Sequence, residues 1–326
     1  MKKILGIFGI LVVVIIATIV LSDGIFLRPF NMENLIRRTA LFGIISIGVG
    51  FVIITGGIDL SIGSVICLVG CGLPWLLSVH GWSMPAGLAA AFFVSLAIGL
   101  AHGLLITKIR LQPFVVTLCG LLMYRGITRG FTGDQTQGFG TNFKAVRGLA
   151  TAEIPLPFVE GFGIPAPCVF LVVVAILAGI FLNLTIYGRY LLALGRNEEA
   201  ARFSGINTDR MVILAYVICS LTAGLGGVLF VMDVNSAQPV DFGNFYELYA
   251  IAAAVLGGCS LRGGQGTILG IVIGAALMQV LRNMITLVDA IPTHIEFAVI
   301  GAVILAGVTT DEVVKRVASR RQTAKS

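Results

Sequence analysis

Apolar stretches of about twenty residues recur from one end of this chain to the other, and little except a membrane-spanning helical bundle can be built that way. A hydrocarbon core about 30 Å thick calls for about 20 helical residues per crossing. Candidate spans fall at 4–22, 39–57, 60–79, 85–106, 112–128, 166–187, 211–232, 245–258, 264–285 and 294–310. The fifth and eighth are short or interrupted by polar residues. The expected fold is an all-α integral membrane protein, a polytopic bundle of about ten transmembrane helices forming one transmembrane domain over residues 1–326.

Composition closes off the soluble alternatives. Of 326 residues, 57% are hydrophobic and 12% charged, and the mean hydropathy is +1.00. A soluble domain carries about twice that charge fraction. The net charge of +6 does not point to nucleic acid, because the Lys and Arg lie between apolar stretches and at the C-terminus. Six cysteines (Cys67, Cys71, Cys119, Cys168, Cys219 and Cys259) form no CxxC pair and have no accompanying His cluster, so they read as small apolar residues and no metal site is expected. The apolar run from Ile4 to Leu21 is long for a signal peptide and reads as a retained first helix.

With the N-terminus inside, ten crossings return the C-terminus inside. Lys2, Lys3, Lys108, Arg110, Arg189, Arg196, Arg202, Arg210, Arg262 and the basic tail then lie inside, as the positive-inside rule prefers. Arg28, Arg37 and Arg38 oppose it locally, and a short interfacial helix at 31–38 with snorkelling arginines would accommodate two of them. The Pro- and Gly-bearing segment at about 130–165 is an external loop in this topology, either a plain connection or a surface for an external partner.

Three motifs lie at the ends of the apolar runs or between them. Gly56-Gly57-Ile58-Asp59-Leu60-Ser61-Ile62-Gly63 matches Gly257-Gly258-Cys259-Ser260-Leu261-Arg262-Gly263-Gly264 as G-G-x-[D/S]-L-x-x-G, with the same orientation for both. The third, inside a cytoplasmic loop at about 188–210, runs Gly195-Arg196-Asn197-Glu198-Glu199-Ala200-Ala201-Arg202-Phe203-Ser204-Gly205-Ile206. Asn197 is a good N-cap, Glu198 and Glu199 suit the first turn, Arg202 suits the last, and Gly205 can close the helix in the left-handed conformation. So short a helix must dock on something; Ala200 and Ala201 would give another protein a small, flat face, unless the helix is a connector packed on its own chain.

These motifs, with Val255-Leu256-Gly257-Gly258 running into Gly263-Gly264-Gln265-Gly266-Thr267, resemble the ribose-type monosaccharide permeases of ABC importers, in order and over nearly the whole chain. The resemblance implies a permease domain whose 195–206 loop seats in a cleft of an ATPase subunit, a second permease chain (identical or not), an extracytoplasmic sugar-binding protein, membrane lipid around the bundle, and a bacterial inner membrane location. It implies import of a monosaccharide driven by ATP, with no cofactor in this chain and ATP-Mg in the partner. Related permeases carry branched-chain amino acids or nucleosides. Leu261-Arg262-Gly263-Gly264-Gln265 looks like the signature of the ATPases themselves, yet the chain has no Gly-Lys dipeptide and hence no phosphate-cradling loop. It is expected not to be an enzyme.

Polar residues in membrane spans are costly and often functional. Asp59 is either a cap for a helix starting at Leu60 or a pathway residue. Ser61, Asn235, Gln279 and Asn283 join it as substrate-pathway candidates, since amides, hydroxyls and carboxylates suit sugar hydroxyls. His102 and His294 read as packing residues. An ion-driven secondary transporter, the rival class, would need an intramembrane carboxylate facing a cavity, with Asp59 the candidate.

Overall fold

The computed structural model describes residues 2–155, 162–288 and 292–303, with residues 305 and 309 besides. Helix α1 (Lys2–Leu21) leads through a 3-10 turn at Ile25–Leu27 into α2 (Pro29–Ile54). Next come α3 (Ile62–Pro74), prolonged by a π-helical turn at Trp75–Val79, then α4 (Met84–Thr107), α5 (Pro113–Thr132) and the short α6 (Lys144–Thr151). Strands β1 (Glu153–Pro155) and β2 (Gly163–Pro165) precede α7 (Pro167–Leu184), α8 (Ile186–Arg196) and α9 (Glu198–Phe203). The bundle is completed by α10 (Thr208–Val234), α11 (Tyr246–Leu256), α12 (Ile268–Leu287) and a helical run at 296–303.

Seven of these helices are long and apolar enough to cross a membrane: α1 from Ile4, α2, α3 with its π turn, α4, α7, α10 and α12. Of the remaining expected spans, the fifth is α5, which carries Arg125 and Arg129, and the eighth is the short α11. The tenth, 294–310, lies partly outside the described residues. The chain is the helical membrane bundle its sequence calls for, with one small antiparallel strand pair among the described residues, in which Glu153 faces Pro165.

Helix α2 is the central post. Every residue from Ala40 to Ile54 is buried, so the helix is apolar all round, as a helix enclosed by protein must be. Around it stand α10, α11, α12 and α7, with α3 and α4 packed on α10. Most of α1, α7 and α4 is not buried within this chain, and these helices form the rim. The expected interfacial helix at 31–38 does not exist as a separate element: Pro29 starts α2 and nothing breaks it before Ile54. Arg37 is instead paired with Glu153, 2.7 Å away on β1.

The described residues of the segment expected as loop 130–165 fold onto the bundle. The Glu33 carboxylate accepts from Gly163 N at 2.9 Å, and Arg147 Nε donates to Met232 O at 3.1 Å. At its start, the Arg129 guanidinium hydrogen-bonds Asp134 and holds that carboxyl below its ordinary range. The strand pair and α9 mark opposite faces of the bundle. The ends of α2, α4 and α7 and the starts of α1 and α10 share the α9 face: Ile7 approaches Gly258, and Lys108, just past α4, pairs with Asp209 at 2.7 Å.

Candidate functional site

At the α9 face, local chemistry builds a projecting helix. The Asn197 side chain caps α9 by accepting from Ala200 N at 2.9 Å. Glu198 and Arg202 pair along it at 3.0 Å. Gly205, at φ +82°, closes it, with Ile206 N donating to Ala201 O. The expected cap, charges and stop are all present. One expectation is corrected: Ala201 does not face outward with Ala200 but is buried against its own chain, 4% exposed. Phe203 does face outward. It is 91% exposed, an aromatic ring on a charged helix with nothing among the described residues to cover it.

Behind α9, the three sequence motifs meet. Gly195, at the end of α8, lies so close to Ile54 O and Gly264 N that a Cβ could not be accommodated. Gly264 N donates to Ile54 O at 2.8 Å. Gly263, at φ +84°, faces Gly195 and Gly56, and Gly264, at φ +71°, faces the backbone of Arg196. The ends of α2 and α8 and the 257–266 turn are therefore clamped backbone to backbone. Gly257 packs on Gly270, while Gly56 and Gly258 turn the chain with φ of +84° and +90°. Close-packed junctions of this kind carry displacement instead of absorbing it.

The similar motifs then part company. After Gly57 the chain climbs into the bundle: Tyr216 donates its hydroxyl to Ile58 O, and α3 starts at Ile62, well above the α9 face. From the opposite face, residues 236–245 descend along α3. Cys71 Sγ approaches Ala237 O at 3.6 Å and Cys67 Sγ approaches Pro239 O at 3.4 Å. Phe242 covers Gly70, and Gly243 meets Gly63, whose missing Cβ leaves room for Gly243 O and the Glu247 carboxylate. The descent from Cys71 to Gly63 is about 12 Å at 1.5 Å per residue. Two re-entrant segments thus meet inside the bundle, and α3 and α11 both begin there. The second segment's carbonyls are satisfied by Arg125, which donates to Pro239 O at 3.1 Å and Phe242 O at 2.7 Å.

The structure gives most of the expected pathway residues structural work. Asp59 is buried, but the helix starts two residues later than expected, so it is not the cap: its Oδ1 accepts from Ser61 N at 2.8 Å and Ser61 Oγ at 2.7 Å. With its carboxylate committed to that turn and only 1% exposed, Asp59 faces no open cavity. Asn235 ends α10 at φ +52° and binds Phe139 N and Gly140 O. Asn283 exchanges amide hydrogen bonds with Asn31, fastening α12 to α2. Gln279 is 2% exposed and its Nε2 has no partner among the described residues. Gln279→Met should therefore leave uptake intact and hold or raise the unfolding temperature, since removing an orphaned buried amide relieves about 1–3 kcal/mol. A scan in detergent showing marked destabilisation would refute that. His102 is buried and its Nε2 shares a 2.8 Å hydrogen bond with the Tyr124 hydroxyl, while its Nδ1 has no partner among the described residues, so the expected packing histidine is only half satisfied.

Sequence reading missed Phe203 as the exposed residue of its loop and Glu247 as a buried acid. A short helix has no periodicity long enough to show which side faces out, and Glu247 sits in a span already doubtful by length.

Residues 31–308 match the family described as branched-chain amino acid transport system / permease component. The chain is 36% identical to the ribose import permease protein RbsC of Bacillus subtilis (strain 168), over 95% of this chain and 93% of that one. It is 36% identical to RbsC of Escherichia coli (strain K12), over 93% and 92% of the two chains. It is 32% identical to the xylose transport system permease protein XylH of Escherichia coli (strain K12), over 90% and 88%. No solved structure matches.

Proposed function

The chain belongs to the branched-chain amino acid transport system permease family, and from that membership we propose that it is the permease subunit of an ABC importer that carries a monosaccharide across the bacterial inner membrane. The sugar reading is favoured over an amino acid because the relatives matched along nearly the full length are named for ribose and xylose. The α9 face, where α1 starts, is cytoplasmic. Two ATPase subunits bind a permease dimer from that side, an external sugar-binding protein delivers substrate to the strand-pair face, and ATP-Mg acts in the partner chains.

The observation that carries this reading is α9 itself: a capped helix, held on the glycine clamp, presenting Phe203 to solvent. An uncharged sugar gains nothing from the membrane potential, so uphill uptake needs mechanical work from ATP. A helix seated in an ATPase cleft and backed by a rigid junction can deliver it to α2, α8 and the turn before α12.

The test is disulfide-free cross-linking. In a cysteine-free background, a single cysteine at position 200 should cross-link to the co-expressed ATPase with an efficiency that changes with ATP. One at position 201 should not, because Ala201 faces its own chain. Absence of a cross-link at 200 in an assembled complex would remove the coupling assignment.

A further inference from the structure

We infer that the re-entrant segment 236–245 forms a water-lined strip that carries the sugar through the centre of the permease, with Gln238, Asp241 and Asn244 as its hydrogen-bonding groups; this rests on the permease reading above. The three side chains are exposed, and none has a hydrogen-bond or ionic partner among the described residues. Yet the segment that carries them lies inside the bundle's depth. Gly243 stands beside Gly63, and Tyr246 packs with Phe42 at 4.9 Å, about 18 Å of helical rise above the end of α2. Ala237, Pro239 and Gly243 turn inward between them, so the backbone alternates between gripping α3 and facing outward with Gln238, Val240, Asp241 and Asn244.

Three surroundings could meet those groups. Lipid is excluded by energy, since an Asp facing the hydrocarbon is strongly disfavoured and irregular backbone is not found against it. A dry protein contact would leave a carboxylate and two amides buried without partners, which is also costly. Water or a polyhydroxylated solute satisfies all of them. The neighbouring elements agree. Arg125 ties the segment to α5, the long helix that is not apolar enough to qualify as a span, so the face they share suits a polar lumen better than lipid. At the strip's lower end, the exposed ring of Phe245 packs edge-on to Phe297 at 5.2 Å. An aromatic face for sugar C–H groups thus stands next to amide and carboxylate groups for its hydroxyls.

The experiment uses the complete transporter: this chain, its ATPase and its binding protein in membrane vesicles. Single cysteines are placed at 238, 241 and 244 in a cysteine-free background, with one at 92 on the rim helix α4 as the lipid-facing control. A charged methanethiosulfonate should modify the three strip positions at least about tenfold faster than position 92, because only thiols in contact with water ionise and react. Saturating D-ribose or D-xylose should slow that modification. The combined Gln238→Leu, Asp241→Leu and Asn244→Leu variant should lose at least about tenfold in uptake of the labelled sugar, the expected sum of three lost hydrogen bonds. Labelling no faster than at position 92, labelling that neither sugar slows, or unchanged uptake in the triple variant overturns the strip. Failure of the unsubstituted complex to take up either sugar with ATP instead overturns the permease reading; the labelling rates still decide whether the strip holds water.

Discussion

Phe203→Asp should abolish ATP-driven sugar uptake while the protein inserts, dimerises and unfolds at its usual temperature. The two halves of that expectation have separate causes. Phe203 is 91% exposed, so its removal takes nothing from the fold, and a surface change of this kind alters stability by no more than about 0.5 kcal/mol. Docking is another matter. A lone aromatic ring on a short helix is the type of residue that dominates an interface once it fills a partner's pocket, and truncating such an anchor costs about 2–4 kcal/mol. That is roughly thirty- to thousand-fold in affinity, and the introduced carboxylate adds a desolvated charge in the pocket. Phe203→Leu should retain much of the uptake, because it keeps the apolar volume. The measurements are transport in vesicles, co-purification of the ATPase and a melting curve in detergent. Full uptake by Phe203→Asp would mean the ring meets lipid or solvent in the working complex, and α9 would lose its place as the contact.

How much of this could be read from residues alone depended on the range of the interaction. Asn197 and Gly205 act within one turn of their own positions, so the capped helix 198–203 was legible as written. The crossing helices were legible because burial in lipid demands about twenty apolar residues whatever their neighbours do. Which side of α9 faces outward was not legible: Ala200 and Ala201 are identical in sequence, and only packing against the chain's own helices separates them. The same holds for the pathway. Asp59, Asn235 and Asn283 have the right chemistry, and each is committed to a turn, a helix end or a neighbouring amide. Gln238 stands, like Asn235, at the outer end of a span, and Asp241 and Asn244 follow in a stretch that reads as an ordinary connection between spans. Nothing local reveals that it dips into the bundle, because the dip is set by Gly63 and Gly70 on another helix and by Arg125 on a third.

The G-G-x-[D/S]-L-x-x-G pair shows the reverse error, a pattern whose two copies do different work. In the first, the chain rises after Gly57 and Gly63 ends up inside α3 against Gly243. In the second, Gly263 and Gly264 stay at the face with positive φ and close on Gly195. What the copies share is a helix end that must pass near another backbone, a demand many sequences meet with glycine pairs.

That clamp supports the second large effect. Gly264→Ala should destabilise the folded permease far more than Gly205→Ala, although both glycines have similar φ, +71° and +82°. Each substitution forces an L-residue into the left-handed region, costing about 1–2 kcal/mol. At Gly205 the new methyl group meets open space, so the penalty ends there. At Gly264 it would lie 2.8 Å from Arg196 N and 3.0 Å from Arg196 Cα, backbone atoms that cannot rotate away. Relieving that collision means parting the 257–266 turn from the end of α8, with an added cost of about 1–3 kcal/mol or more. The total, about 2–5 kcal/mol, is a large share of the 5–15 kcal/mol by which folded proteins are typically stable. Thermal unfolding in detergent should therefore place Gly264→Ala well below Gly205→Ala, and any Gly264→Ala that folds should hydrolyse ATP with its partner while transporting poorly, because the joint behind α9 has been opened. Equal melting temperatures for the two variants would show that φ strain alone matters at both positions. The clamp would then be a consequence of the fold, with no part in transmitting force.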